Sequence, residues 1–452
     1  MEKSSIGIFP KDFIWGAATA AFQIEGSTLA DGRGESVWDR FAKSPGKING
    51  GHTGEPACDH YRRWREDIDL MVGLGLQAYR FSVAWPRVIP GGRGQVNEAG
   101  LDFYDKLVDR LLEKNIEPYL TLYHWDLPQV LQDEGGWLAR STVDAFEGYA
   151  RVVIQRLGDR VRHWMTMNEI PCFIGQSYGV GAHHAPGLQV PKKQVNQGYH
   201  HAFLAHGRAV RLVREWARPD SEVGLVNNPF IPVPVSESPA NDAAAQKAFE
   251  HMNSYLVDPI FRGAYASWWL AEQGADVPDI QDGDMQVISS PCDFHGINAY
   301  SGIFVEAADN AVGYKALKFP KGYTKLDLHW LKPVPQVLYW ACRHLKGAYG
   351  VDKTYISENG CACDDELDAD GRVVDLDRLE WLRNHLRQAQ RATAEGLGLS
   401  GYFLWSLMDN FEWAEGYLKR FGIVHIDYAT QARVLKESGK WYQGVIREQT
   451  GS

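Results

Sequence analysis

The chain has 452 residues, with 47 Lys and Arg against 57 Asp and Glu, a formal charge of −10. That balance argues against nucleic acid and anionic membrane as main partners, because both demand faces rich in Lys and Arg. Hydrophobic residues at 44% with 23% charged are ordinary globular composition, and no apolar run approaches the roughly 18–20 residues of a membrane span.

In chain order, short apolar, β-branched or aromatic runs alternate with longer amphipathic stretches. Strands are predicted over residues 13–17, 78–84, 118–123, 162–167, 222–226, 293–297, 354–357 and 401–406. Helices are predicted over 61–74, 98–115, 141–157, 197–216, 335–349 and 376–395. The clearest is 98–115, where Leu101, Tyr104, Leu107, Val108, Leu111 and Leu112 recur at helical spacing. Eight strands alternating with helices point to an α/β chain built as one parallel sheet closed into a (β/α)8 TIM barrel. The rival is an open, doubly wound sheet. It would usually carry a Gly-rich phosphate turn after its first strand, and the AATAAFQIEG that follows here lacks it. A minimal barrel needs about 250 residues, so roughly 200 fall in long connections, the largest around 24–60, 170–200, 228–290 and 298–350. No linker or low-complexity tract divides the chain, and residues 1–452 are read as a single catalytic domain.

The first residues, MEKSSIGIFPKDF, contain no apolar stretch of signal-peptide length. Cys58, Cys172, Cys292, Cys342, Cys361 and Cys363 are spread along the chain, unlike a disulfide scaffold. No Asn-x-Ser/Thr sequon occurs. The expectation is a cytoplasmic protein with reduced thiols. Cys361-x-Cys363 has no second Cys/His pair at zinc spacing, so no metal is expected there.

In a barrel of this kind the active site lies at the C-terminal ends of the strands. Reading those ends gives Gln23 after the first strand, then Arg80 and Trp85 on the second. His124, Trp125 and Asp126 follow the third, Asn168 and Glu169 the fourth, and Asn227 and Asn228 the fifth. Asn298 and Tyr300 come at the sixth, Glu358-Asn359-Gly360 at the seventh, and Trp405, Asp409, Glu412 and Trp413 at the eighth. Amides and carboxylates hydrogen-bond hydroxyl groups, and flat aromatic faces take the C–H faces of a pyranose ring. The mixture suits a neutral polyol better than a phosphate or a metal. Glu169 and Glu358 stand at one barrel mouth, and paired carboxylates flanking a scissile bond are what glycoside hydrolysis needs.

The chain resembles the family 1 glycoside hydrolases of the β-glucosidase type, from about residue 9 to 446. The motifs that carry the resemblance are FPKDFIWGAATAAFQIEG (9–26), ACDHYRRWREDIDLM (57–71), AYRFSVAWPRV (78–88), YHWDLPQ (123–129), TMNE (166–169), GINAY (296–300), ISENG (356–360) and LWSLMDNFEWAEGYLKRFGI (404–423). The resemblance implies Glu169 as general acid/base and Glu358 as nucleophile, hence retention with the carboxyl groups about 5–5.5 Å apart. It implies Arg80 and Tyr300 as support for the nucleophile. The implied sugar contacts are Gln23, His124, Trp125, Asn168, Asn298, Tyr300, Trp330, Trp405, Glu412, Trp413 and Phe421. No cofactor and no metal is implied. The family usually has proline directly after the acid/base; here Ile170 stands there and Pro171 follows. Ser357 replaces the commoner Thr, and Ala299 stands where an aromatic is common.

The expected activity is that of a retaining, exo-acting β-glucosidase on cello-oligosaccharides and aryl or alkyl β-glucosides, with β-galactosidase and β-fucosidase side activity. The partner is a small β-glycoside, and a homo-oligomer is compatible with the sequence. A 6-phospho-β-glycosidase is the near alternative, which Glu412 and Phe421 disfavour. A non-catalytic sugar-binding barrel is the other, against which both carboxylates stand. Three patterns are decoys. Gly175-Gln-Ser-Tyr-Gly179 matches an esterase elbow, but no helix-forming stretch follows. The acidic run 366–377 ends in an Asp too short for a calcium loop. His183, His184, His200, His201 and His206 form no metal motif.

Overall fold

The computed structural model describes residues 6–451; the first five residues, part of the stretch read for a leader, lie outside the described residues. Eight parallel strands close into a barrel: β1 (Ile14–Ala18), β2 (Ala78–Ser82), β3 (Glu117–Thr121), β4 (His163–Asn168), β5 (Glu222–Asn227), β6 (Phe294–Asn298), β7 (Thr354–Asn359) and β8 (Leu399–Trp405). Each strand pairs with its sequence neighbours, and β1 closes the ring between β2 and β8. All eight expected strands are present, shifted by at most two residues at either end. A long helix follows each strand: α1 (His60–Leu74), α2 (Glu98–Glu113), α3 (Ser141–Leu157), α4 (Lys192–Trp216), α5 (Pro239–Phe261), α6 (Val337–Tyr349), α7 (Leu376–Ala394) and α8 (Glu437–Thr450). No helix among the described residues is long and apolar enough to cross a membrane.

Two of these helices, α5 and α8, were not expected from the sequence, and α5 corrects the reading of 228–290 as loop. Ser238 caps α5 by accepting from the Asn241 N–H, and Pro239 occupies its first turn. Its second half buries Asn253, Ser254, Asp258 and Pro259 as well as Leu256, Val257 and Ile260, so burial there runs around the helix and takes in polar residues. The helix packs both on a small outer sheet (Pro232–Pro234, Ile303–Ala307, Tyr314–Ala316) and on α6. A helix buried on several sides leaves no single-face periodicity to read.

Aromatic rings fill the barrel. Tyr119 stacks on His163 with centroids 4.1 Å apart, meets Phe403 at 4.7 Å and stands edge-on to Tyr355 at 5.5 Å. Gly16 makes room for them, since a Cβ there would lie 2.5 Å from the Phe403 ring. The C-terminal strand ends open onto a cavity. Gly360 serves the same end: a Cβ would sit 1.6 Å from the Trp405 carbonyl, so β7 can pass beneath β8 only with glycine after Glu358-Asn359.

The segment after β8 is tied down by buried charge. Asp409 accepts from Lys436 Nζ (2.6 Å), from Arg420 Nη1 (2.7 Å) and from the Gly422 N–H (3.0 Å). Lys436 also bonds Asp365, which pairs with Arg378 at 2.7 Å, and Arg378 pairs in turn with Asp375. Three cations and three carboxylates thus join α7 and the start of α8 to the loop that carries Glu412, Trp413 and Phe421. Removing one partner of a buried pair strands the others. Lys436→Met is therefore expected to cost about 3–5 kcal/mol, read as a lowered midpoint of thermal unfolding; an unchanged midpoint would show that the cluster is not what holds this loop.

Candidate active site

The cavity at the strand ends has a volume of about 610 Å3 and is walled by His124, Trp125, Asn168, Glu169, Tyr300, Trp330, Glu358, Trp405, Glu412, Trp413 and Phe421, all expected from the sequence. Cys172, Gln176, His183, His184, Asn228 and His329 line it as well. Asn228 reads from the sequence as a strand-end amide with no role given to it; Cys172 and Gln176 come from the helical turns after Glu169, and His183, His184 and His329 from loops.

Arg80 organises the interior. It lies on β2, fully buried. Its Nη1 donates to Glu358 Oε1 at 2.6 Å and to the Ser357 carbonyl at 3.1 Å, and its Nη2 donates to Asn168 Oδ1 at 2.6 Å. Tyr300 donates its hydroxyl to Glu358 Oε2 at 2.8 Å. Both oxygens of Glu358 therefore face positive or O–H donors. Glu169 meets different partners: Asn298 Nδ2 donates to its Oε1 at 2.7 Å, and Cys172 Sγ lies 3.1 Å from its Oε2. Burial raises the pKa of both carboxyls. At Glu358 the Arg80 ion pair and the Tyr300 hydrogen bond oppose that rise. At Glu169 the Glu358 charge adds to it, and the group is pushed up to about 7.

The guanidinium also decides a tautomer. Because Asn168 Oδ1 accepts from Arg80, its Nδ2 must face His124, where it donates to Nε2 at 3.0 Å. The His124 proton therefore sits on Nδ1, and burial followed by the Arg80 charge holds the ring's pKa well below its ordinary value. Nδ1 has no protein partner, nor have Gln23 Oε1 and Glu412 Oε2. A donor and two oxygens are thus left for a ligand's hydroxyl groups. Glu412 is pushed up to about 8, by burial first and then by Glu358, Glu169 and Glu415.

The expected residues do not all stand in the wall. Gln23 is buried beside Glu412, its Nε2 spent on Asn410 Oδ1 and the Phe411 carbonyl, both at 2.9 Å, and its Oε1 without a protein partner. The sequence reading placed Asn298 among the sugar contacts. In the structure both its N–H groups are spent on Glu169 and Asn168, and its Oδ1 accepts from Ser357 Oγ at 2.8 Å. It holds Glu169 instead of facing the cavity. Trp125 spends its indole N–H on the Asn168 carbonyl (2.8 Å) and offers only its ring. Trp405 and Trp413 stack against His124 at 5.9 Å, Trp125 meets Trp413 at 4.4 Å, and Trp330 stands half-exposed at the rim, edge-on to Tyr300.

Three of the cavity residues carry backbone strain. Trp125, Glu169 and Trp413 hold positive φ values of 77°, 50° and 48°, at about 1–3 kcal/mol each. Glu169 leaves β4 through this conformation into a π-helical turn, Pro171–Gly175. Ile170, where the family usually has proline, keeps an N–H, and Asn227 Oδ1 accepts it at 3.4 Å. Ser177 of the esterase-like pattern sits on a short helical segment with its hydroxyl spent on the Cys172 carbonyl (3.2 Å), not on a strand-to-helix elbow.

A (β/α)8 barrel whose mouth holds two buried, differently supported carboxylates among aromatic walls has the architecture of a glycosidase. The chain matches the model of glycosyl hydrolase family 1 over residues 5–450 and belongs to that family; it is a glycosidase. Beta-glucosidase A of Thermotoga maritima is 45% identical over 443 residues, 97% of this chain and 98% of that protein. A beta-glucosidase of Agrobacterium sp. is 45% identical over 444 residues, 97% and 95% of the two chains. The solved family 1 β-glucosidase from Thermotoga maritima matches with a TM-score of 0.90 at 43% identity, covering 98% of this chain and 99% of that one. Other structures of that enzyme hold glucoimidazole and deoxynojirimycin.

The tautomer gives a direct test. The His124 imidazole is expected to stay neutral and Nδ1-protonated from pH 5 to 8 in 15N-resolved NMR. A titration within that range would show that Arg80 does not set the Asn168 amide as described.

Proposed function

We propose that this glycosidase is a retaining, exo-acting β-glucosidase that works as one catalytic domain and removes terminal non-reducing β-D-glucosyl residues by double displacement. The observation that carries the reading is the unequal support of two buried carboxylates: a guanidinium and a phenol on Glu358, an amide and a thiol on Glu169. The first set favours an ionised nucleophile and the second a protonated acid. In the first step a Glu358 oxygen attacks the anomeric carbon while Glu169 gives its proton to the departing glycosidic oxygen. The bond to the aglycone breaks and a glycosyl ester forms. In the second, the ionised Glu169 takes a proton from water, whose oxygen attacks the same carbon and releases Glu358. The sugar leaves with its β-configuration.

His124 Nδ1–H, Gln23 Oε1 and Glu412 Oε2 would grip the terminal ring over the Trp405 and Trp413 faces. A carboxyl and an amide beside one another can serve either orientation of a 4-hydroxyl, which supports galactoside and fucoside side activity. Trp330 at the rim would take the next sugar of a cello-oligosaccharide or an aryl group. The phosphate-gripping alternative is weakened further, because Lys419 Nζ is engaged by Asp327 at 2.6 Å.

Glu358→Ala is expected to lower p-nitrophenol release from an aryl β-glucoside by at least about 10^4-fold, with added azide restoring turnover and yielding the α-azide. Retained activity would sink the nucleophile assignment. For the parent enzyme, kcat/KM should fall on the alkaline side with a midpoint near 7, where Glu169 ionises and can no longer donate its proton. A profile flat to pH 9 would remove Glu169 from the acid role.

A further inference from the structure

A thiol stands against the acid/base carboxyl. Cys172 lies three residues beyond Glu169 in the Pro171–Gly175 π-helical turn, buried but part of the cavity wall. Its Sγ is 3.1 Å from Glu169 Oε2. On its other side Asn228, the first residue past β5, donates Nδ2 to the same sulfur at 3.3 Å. With its lone pair engaged by Asn228, the sulfur has one hydrogen to give, and Glu169 is the acceptor in reach. The opposite oxygen, Oε1, is held by Asn298.

The two oxygens of Glu169 therefore face donors of unequal strength. An amide N–H on a carboxylate makes a short, charge-assisted bond. A thiol is only a weak donor and a weak acceptor. With Asn298 on Oε1, the transferable proton belongs on Oε2, the oxygen beside the sulfur. A hydroxyl or amide at position 172 would compete for that oxygen and favour the ionised carboxylate. A thiol supports the carboxylate lightly and can turn to accept from the carboxylic acid.

We propose that Cys172, oriented by Asn228, is a positioning residue for Glu169: a weak, two-way hydrogen-bonding partner that holds the carboxyl in place in both protonation states without locking it in either. This rests on the acid/base reading of Glu169 given above. The titratable and charged groups around Glu169 are Glu358 from β7, Arg80 from β2, Tyr300 beyond β6, His124 beyond β3 and Glu412 beyond β8, with His183, His184, His329 and Glu415 also in the cavity wall. The thiol itself stays protonated, since burial and the neighbouring Glu169 push its pKa well up. None of the other groups changes in the variants below, so a displaced pH limb belongs to position 172.

The test is the pH dependence of kcat/KM for phenyl β-glucoside, a poor leaving group that needs protonation, beside 2,4-dinitrophenyl β-glucoside, which does not. Cys172→Ser places a stronger donor on Oε2 and is expected to move the alkaline limb to lower pH by about half a unit or more. Cys172→Ala removes the donor and moves it the other way. Asn228→Ala, which frees the thiol to rotate, moves it in the same direction as Cys172→Ala and keeps the test open if the alanine variant fails to fold. Losses fall on the phenyl substrate by at least about threefold, while the dinitrophenyl substrate is nearly unaffected. Coincident limbs, or shifts of Ser and Ala in one direction, overturn the proposal, because a purely structural thiol would not produce opposite displacements. Glu169→Ala separates the two readings. If it keeps the alkaline limb, the acid/base assignment fails; if it loses the limb while the Cys172 variants do not move it, only the role of Cys172 fails.

Discussion

A guanidinium buried in the barrel sets the polarity of everything around it. Taking Arg80 out of water costs several kcal/mol, and the cost is offset only because each side of the fork finds an acceptor: Glu358 and the Ser357 carbonyl on one nitrogen, Asn168 on the other. Those contacts have consequences beyond stability. The first holds one of two buried carboxyls toward its ionised form. The second turns the Asn168 amide, which fixes the His124 tautomer and leaves a single N–H facing the cavity. Charge state, amide orientation and ligand-facing donor thus follow from one side chain on β2.

The barrel supplies the precision this needs. Arg80, Asn168, Asn298 and Glu358 sit on or at the ends of strands whose register is fixed by parallel pairing. Glu169 turns the chain through the left-handed region directly after β4, and Trp125 and Trp413 do so within the loops beyond β3 and β8. Strained turns persist only when their surroundings over-determine them. Here the supports are the packed rings of Trp38, Trp125 and Trp413 and, for the loop after β8, the buried charges around Asp409 and Lys436. Two groups stand out among the sixteen tryptophans. Trp15, Trp38, Trp85, Trp137, Trp164 and Trp340 are wholly buried packing, while Trp125, Trp330, Trp405 and Trp413 face the cavity.

Strand positions were legible because strands buried on both faces are rich in apolar and aromatic residues, and because amides and carboxylates then gather at their exits. That is how Asn168, Glu169, Tyr300, Glu358 and Trp405 could be placed at one mouth before any coordinates. Helix α2 was legible from its single apolar stripe. Helix α5 was not, since its second half is buried all round and takes in Asn253, Ser254 and Asp258, nor was α8, whose Ser438 N–H and side chain are anchored by Asp375 far away in sequence. Within the site, residue type revealed which side chains would gather but not which atoms would be spent. Asn298 reads as a free amide and is engaged by Glu169, Asn168 and Ser357. Cys172 reads as an ordinary thiol and lies against Glu169. Hydrogen-bond allocation is a property of the closed barrel, and no local pattern encodes it.

The same allocation accounts for the acidic cavity of an acidic protein. Glu169, Glu358 and Glu412 share one buried space with a single guanidinium, and three carboxylates there cannot all be ionised near neutrality. With Glu169 pushed up to about 7 and Glu412 to about 8, the carboxylate best supported as an anion is Glu358, paired with Arg80. The residues lining the cavity include no Lys or Arg, so an anion finds no cation in the wall. In the proposed double displacement this balance is broken on purpose by the chemistry itself. Once Glu358 is esterified its charge is gone and Arg80 is left uncompensated. The field at Glu169 changes from that of a neighbouring carboxylate to that of a neighbouring cation. Both changes favour ionised Glu169, so the group that had to be an acid becomes a base without any residue moving.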